Sequence, residues 1–337
     1  MRKESIKLSV IIPVYNMEKY LRYSLDSVLN QDLADMEIIC INDGSTDSSL
    51  TILRQYQRQS DRFVVFDQEN RGVANSRNLG ICKAAGKYVA FLDPDDILPG
   101  NDILSVLYQA AEKNDVLIAG GEFSDMDRSG RINDHYEGTL AGYAFQDEGI
   151  VYYTDYQFDY GYHRFIYNRE FLLRHHLAFP ELVRFQDPPF MVQAFTLAER
   201  FYAVKKVTYC YRINYHLIDW NKKKVGDLLT GLHMNIRWAA QHQLIDLMDL
   251  TIERMADEYG EVIMSHFVKE AEIRDKMYGI LKDELVRDNR RMREFTDALP
   301  GYLIDQYDHL LESKTYKLGS MILYLPKKLK KIFCGKF

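Results

Sequence analysis

Apolar and polar positions along the first third of the chain follow two alternating rhythms. From Leu8 to about Gly121, short β-branched runs are separated by stretches with helical spacing. Leu8-Ser9-Val10-Ile11-Ile12 predicts a buried strand. Glu18 to Gln31, where Leu21, Leu25, Val28 and Leu29 recur at helical spacing, predicts the helix that follows. Further strands are expected at Glu37–Ile41, Phe63–Phe66, Lys87–Leu92 and Asp115–Ala119, with helices near Ser48–Arg58, Val73–Ala85 and Asn101–Glu112. Alternation at this spacing predicts an α/β fold, a mainly parallel sheet flanked by helices on both faces. Ligands of such sheets bind just beyond the carboxyl ends of the strands.

The rhythm breaks from about Ser124 to Asp159 into Gly-, Asp- and Tyr-rich sequence, an irregular length of the kind that usually carries function or moves. Arg164 to Ile213 reads as mixed structure with a strand-like run Phe201–Tyr211. Val225 to about Leu311 is helical, interrupted only by Pro300.

Of the 337 residues, 47% are hydrophobic and 27% charged, which excludes a disordered, collagen-like or polytopic membrane chain. Lys and Arg number 43 against 49 Asp and Glu, and the net charge of -6 argues against a nucleic-acid surface spread over the molecule. Arg2 and Lys3 precede the apolar Val10-Ile11-Ile12, but Pro13 ends that run too early for a signal peptide. No stretch reaches the ~18 apolar residues a membrane span needs. Cys40, Cys82, Cys210 and Cys334 form no C-x-x-C pair, so a zinc site or disulfide framework is not expected. A reduced cytoplasm is the natural compartment, with Cys40 and Cys82 read as small buried hydrophobes.

The chemistry collects where three polar loops follow strands. Asp93-Pro94-Asp95-Asp96 sets three carboxylates in four positions at a strand end, where they repel one another unless a cation offsets them. Carboxylates without nearby cysteine favour a hard ion, Mg2+ or Mn2+. The plainer alternative is that Asp95 or Asp96 caps the next helix. Asp43, in Asn42-Asp43-Gly44-Ser45-Thr46-Asp47, could accept hydrogen bonds from a ribose hydroxyl or a base N–H, though an Asx turn uses the same letters. Arg71 and Arg77, within Asn70 to Asn78, could pair with phosphate oxygens or simply be solvated on a helix face.

Taken together, Pro13-Val14-Tyr15-Asn16, the Asn42–Asp47 loop, Asn70 through Gly86 and Asp93-Pro94-Asp95-Asp96 closely resemble the family 2 glycosyltransferases, in the same order and at similar spacing from Leu8 to about Gly121. The resemblance implies a GT-A fold with a Rossmann-like sheet, a nucleotide-sugar donor and a divalent metal. It divides the chain into a nucleotide-sugar-binding half (1–121), an acceptor half carrying the base (122–220), a helical subdomain (221–315) and a tail (316–337). By position, Pro13, Tyr15 and Asp43 would surround the base and ribose and Arg77 would lie near the nucleotide. Asp93 would approach the ribose or metal, and Asp95 would bind the metal. Family members carry an acidic pair followed by an aromatic at a helix start. Here Arg184-Phe185-Gln186-Asp187-Pro188-Pro189-Phe190 matches it, with Asp187 at the position of the general base and Gln186 replacing the first acid. Asp187 before Pro188 also fits a helix N-cap. Tyr211-Arg212 resembles the family's Tyr-Arg stretch, after which His216 would complete the metal shell or contact the diphosphate. Trp220 would serve as an acceptor-sugar platform or a core anchor.

The implied reaction is an inverting transfer from a nucleotide-diphosphate sugar, a UDP-sugar foremost, to an acceptor hydroxyl, in bacterial surface-polysaccharide assembly. Rival readings are a nucleotidyltransferase acting on sugar phosphates, a dinucleotide oxidoreductase, and a catalytically silent sugar-nucleotide-binding protein. The first lacks its Gly-rich basic loop after the first strand, and the second lacks G-x-G-x-x-G. The third is opposed by the presence of Asp93, Asp95 and Asp187 together.

Tyr316 to Phe337 carries Lys317, Lys327, Lys328, Lys330, Lys331 and Lys336 with no acid, interleaved with apolar residues. In an acidic chain this terminus reads as a contact for a membrane surface, peripheral on the inner face of the cell membrane, and a lipid-linked saccharide acceptor would explain it. A solubilising tail or a helix docked on the body is the alternative. Full-length chain is expected to co-sediment with anionic liposomes and a chain truncated before Tyr316 to stay in the supernatant. Equal binding of the two removes the membrane reading.

Overall fold

Leu8–Val14 forms strand β1 with all seven residues buried, as a β-branched run covered on both faces must be. The computed structural model describes residues 6–127, 131–133, 144–213, 218–286 and 289–297. After β1 come α1 (Leu21–Leu29), β2 (Met36–Asp43), α2 (Ser49–Gln59), β3 (Phe63–Gln68), α3 (Val73–Lys83), β4 (Tyr88–Phe91), α4 (Ile103–Asn114) and β5 (Ile118–Met126). This is the alternation expected from the sequence. The next stretch holds β6 (Ile132–Asn133), β7 (Gly149–Tyr152), α5 (Tyr153–Tyr156), β8 (Phe165–Asn168), α6 (Arg169–Arg174), α7 (Asp187–Ala198) and β9 (Arg200–Arg212). Helices α8 (Lys222–Gln241), α9 (Ile245–Glu253), α10 (Gly260–Phe267) and α11 (Ala271–Leu281) follow. No described helix is long and apolar enough to cross a membrane.

One sheet carries the molecule, in the order β3-β2-β1-β4-β8-β5-β9-β7, with β6 paired to β5. Strands β1 to β4 are parallel where they pair, β8 runs antiparallel between β4 and β5, and β9 is parallel to β5. The sheet is therefore mixed. The sequence division at residues 121 and 122 falls inside β5, so both halves share that strand.

Side chains of a strand point alternately to its two faces, and β1 divides the core accordingly. Leu8, Val10 and Ile12 belong to a cluster with Leu21, Leu53 and Leu104, from α1, α2 and α4. Ile11 faces the other way, into a cluster with Ile81 of α3, Phe190 of α7 and the buried stripe of α8. That stripe, Val225, Leu228, Leu229, Leu232, Ile236 and Ala239, has the three- and four-residue spacing of a helix face and joins the helical region to the sheet.

Helix α3 lies close on β1 because Gly80 has no side chain. A Cβ there would stand 2.3 Å from Ile11 Cγ2. Gly80→Ala is expected to cost about 1–3 kcal/mol by overpacking, measured by urea denaturation. An unchanged midpoint would mean that α3 is free to shift.

Candidate functional site

The polar loops meet at the carboxyl ends of β1, β2 and β4. Asn16 takes a left-handed conformation (φ 53°), and its side-chain oxygen accepts the Thr46 N–H at 2.8 Å. Its own N–H donates to Ser45 Oγ at 3.1 Å, which ties the first loop to the second. Asp43 is buried at the end of β2 and accepts from Gln68 Nε2 (2.7 Å) and the N–H groups of Arg71 (2.9 Å) and Gly72 (2.8 Å). Close approach of the 70–72 loop requires Gly44, whose Cβ would lie 2.8 Å from the Asn70 nitrogen. Asp43 thus holds the loop that opens α3. Pro13 is buried within β1, whereas Tyr15 stands 47% exposed on the rim beyond it.

The three acids after β4 have separate partners. Asp93 Oδ1 accepts from Arg77 Nη2 at 2.8 Å, and its backbone N–H donates to the Tyr209 hydroxyl at 3.1 Å. Burial alone would raise the Asp93 pKa, but the Arg77 guanidinium outweighs it and holds the carboxyl below its usual range. Asp95 is half-buried, and its carbonyl accepts from Arg212 Nε at 2.9 Å. Asp96 is 1% exposed and faces β9, where it accepts the Tyr209 hydroxyl at 2.6 Å and the Arg212 N–H at 2.7 Å. Burial, with Asp95 and Asp93 nearby, pushes its pKa well above the usual range. Neither Asp95 nor Asp96 caps a helix, because α4 begins later, with Asp102 at its N-cap.

Asp187 is the first residue of α7, and Gln186 rather than Asp187 occupies the N-cap. Its Oδ1 accepts from Arg77 Nη1 at 2.6 Å. One guanidinium therefore bridges Asp93 and Asp187. The Arg77 side chain is 4% exposed and lies over the Tyr162 and Phe179 rings at 4.9 and 5.2 Å. Both of its terminal nitrogens donate to carboxylates, while its buried Nε has no hydrogen-bond partner among the described residues. Burial raises the Asp187 pKa, Arg77 opposes the rise and Asp93 adds to it, with a net shift upward.

The helical region buttresses this corner. Phe185 takes φ 65°, unfavourable for a bulky residue, and its carbonyl would lie 2.7 Å from a Cβ on Gly231 of α8. Arg254 lies over the Phe185 ring at 5.2 Å and donates to both oxygens of the buried Asp159 at 2.7 and 2.8 Å. Trp220 is partly buried against the core, edge-on to Tyr259 at 6.2 Å, and the Arg184 guanidinium lies over its ring at 5.4 Å. His216 lies outside the described residues, as does the tail from 316 to 337. Among the described residues no group of three or more His, Cys, Asp and Glu side chains is arranged to hold a metal. A separate cavity of about 280 Å³, lined by Leu117, Asn168, Phe171, Arg174 and His175 among others, lies at the opposite end of the β4–β8 pair.

The profile of Glycosyl transferase family 2 matches residues 9–176, which include every loop of the rim except the Asp187 turn. The chain belongs to glycosyltransferase family 2. The uncharacterized glycosyltransferase EpsJ of Bacillus subtilis (strain 168) is 34% identical over 211 residues, 61% of each chain. The poly(ribitol-phosphate) beta-glucosyltransferase of Bacillus spizizenii is 35% identical over 151 residues, 44% of this chain and 24% of its own. The matches thus span less than two thirds of either relative's length. The crystal structure of S. aureus TarS 1-349 in complex with UDP-GlcNAc superposes with a TM-score of 0.68 at 19% identity, covering 92% of both chains. The chain therefore shares the GT-A fold of TarS, helical region included.

Sequence reasoning missed Tyr209, which no local pattern singles out among 24 tyrosines, and the Asp159–Arg254 pair. Tyr209→Phe removes the hydroxyl shared by Asp93 and Asp96. It is expected to destabilise the protein by about 1–3 kcal/mol in urea denaturation. Tyr211→Phe, at a residue 41% exposed, should stay within about 0.5 kcal/mol. Equal effects would deny Tyr209 its bridging role.

Proposed function

We propose that the chain transfers a sugar from a UDP-sugar to an acceptor hydroxyl with inversion at the anomeric carbon, in the assembly of a bacterial surface polysaccharide. The observation that carries this reading is the Asp187 carboxylate, 36% exposed, held 2.6 Å from a guanidinium whose other arm reaches Asp93. A base candidate and a donor-side carboxylate thus face one rim. UDP-GlcNAc in the TarS structure and the polyol-phosphate acceptor in the Bacillus spizizenii relative's name support the donor and acceptor classes.

In the proposed reaction Asp187 accepts the proton of the attacking hydroxyl, and a single displacement through an oxocarbenium-like state inverts the centre. Tyr15, Pro13 and Asp43 border the place for the base and ribose at the carboxyl ends of β1 and β2. The donor set after β4 suits a hard dication, since Mg2+ and Mn2+ commonly bind through one or two carboxylates together with substrate phosphates. Asp93, ionised by its pairing with Arg77, and Asp95 would hold Mg2+ or Mn2+, with His216 as a further ligand. The ion would offset charge on the leaving diphosphate. The chain would work in the cytoplasm with its basic tail on the inner membrane face, meeting a saccharide acceptor that is lipid-linked.

Asp187→Asn is expected to lower transfer about a hundredfold or more in a purified assay. Full activity would remove the base assignment. Because the Asp187 pKa is raised, its base form is lost as pH falls through a value above the ordinary carboxylate range, and the acid limb of kcat/KM should lie correspondingly high. An acid limb in the ordinary range would contradict this. UDP binding by calorimetry should strengthen with Mn2+, and Asp95→Asn should abolish that dependence. Equal dependence in both proteins would exclude Asp95 as a ligand.

A further inference from the structure

We propose that Arg77 is a positioning residue that couples the donor side of the rim to the base, and not a contact for the nucleotide. The inference rests on the glycosyl-transfer reading of Asp187. Arg77 Nη2 reaches Asp93 Oδ1 at 2.8 Å and Nη1 reaches Asp187 Oδ1 at 2.6 Å, so the fork of the guanidinium is divided between two carboxylates from distant parts of the chain. Its position is fixed from several directions. Helix α3, which carries it, is pressed on β1 through Gly80, and the next residue clamps the aromatic neighbour: Asn78 Nδ2 donates to the Phe179 carbonyl and the Phe179 N–H donates to Asn78 Oδ1, both at 2.8 Å. Phe179 in turn stacks on Phe190 of α7 at 4.0 Å, one turn beyond Asp187. Guanidinium and base are therefore held by one packed unit.

Asp187 is 36% exposed and would be free to change rotamer without this tether. With it, the carboxylate is aimed before the acceptor arrives, which is where orientation contributes to rate. Because the same cation holds Asp93, a change in the engagement of Asp93 on the donor side is transmitted to Asp187. Lysine cannot replace arginine here, since an ammonium is a point donor and cannot present a planar fork to two carboxylates.

The test compares Arg77→Lys, Asp187→Asn and their double variant. Arg77→Lys is expected to lower kcat about tenfold or more, while the calorimetric Kd for UDP stays within about threefold of the parent. A Kd that weakens in step with the loss of kcat/KM would overturn the proposal and make Arg77 a nucleotide contact. The double variant should be no slower than Asp187→Asn, and losses that multiply would overturn the coupling. Melting temperatures give a readout independent of turnover: Asp93→Asn and Asp187→Asn share one partner, so their combined shift should depart from the sum of the single shifts. Strict additivity overturns the shared ion pair. Those melts decide the coupling even if the parent transfers no sugar, an outcome that would count against the glycosyl-transfer reading alone.

Discussion

A buried guanidinium must be paired, and the site is arranged around the double pairing of Arg77. Removing a cation from water is costly, and the cost is offset only by partners of good geometry. Two carboxylates and two aromatic faces supply them here. Three elements must be in register for this to happen. Helix α3 brings the arginine, the end of β4 brings Asp93, and the start of α7 brings Asp187. The close seat of α3 on β1 and the turn at Phe185 both serve that register.

Charge is partitioned among the acids of the rim by their partners. Asp93 and Asp187 share one cation, yet their pKa values move in opposite directions, because Asp93 has the stronger compensation and Asp187 also feels Asp93. Asp96, next to them in sequence, belongs to different chemistry. It is turned into the sheet and, with Tyr209 and Arg212, joins the β4 loop to the end of β9. Three acids in four positions are thus a pair of functional candidates followed by a structural fastener.

The sheet was legible because buried β-branched runs alternate with amphipathic helices, and each loop falls where a run ends. Leu8–Ile12, Glu37–Ile41 and Phe63–Phe66 all lie inside observed strands. The rim was legible for the same reason, since Asp43 ends β2 and Asp93 and Asp95 follow shortly after β4. Arg77 was visible as a residue but not in its role. Its partners lie 16 and 110 positions away, and nothing near it in sequence says that both face inward. The Asp159–Arg254 pair is hidden likewise, joining an irregular segment to a helix 95 positions on. The strand expected at Asp115–Ala119 instead runs from Ile118 to Met126, continuing through Gly120 and Gly121, which break its apolar run. Those glycines admit the Phe165 ring and the crossing of β9, a demand visible only once β8 and β9 are in place.

Strand β8 has a consequence for how the rim can move. Its antiparallel ladders to β4 and β5, Val89 opposite Tyr167 and Ile118 opposite Tyr167, sew the two sides of the rim into one continuous sheet. A cleft that closed by swinging one lobe against the other would have to tear those hydrogen bonds. This scaffold has no such hinge between β4 and β5. Adaptation to donor and acceptor falls to the segments that leave the strand ends, and to side-chain rotation upon them, motions of a faster class than lobe closure.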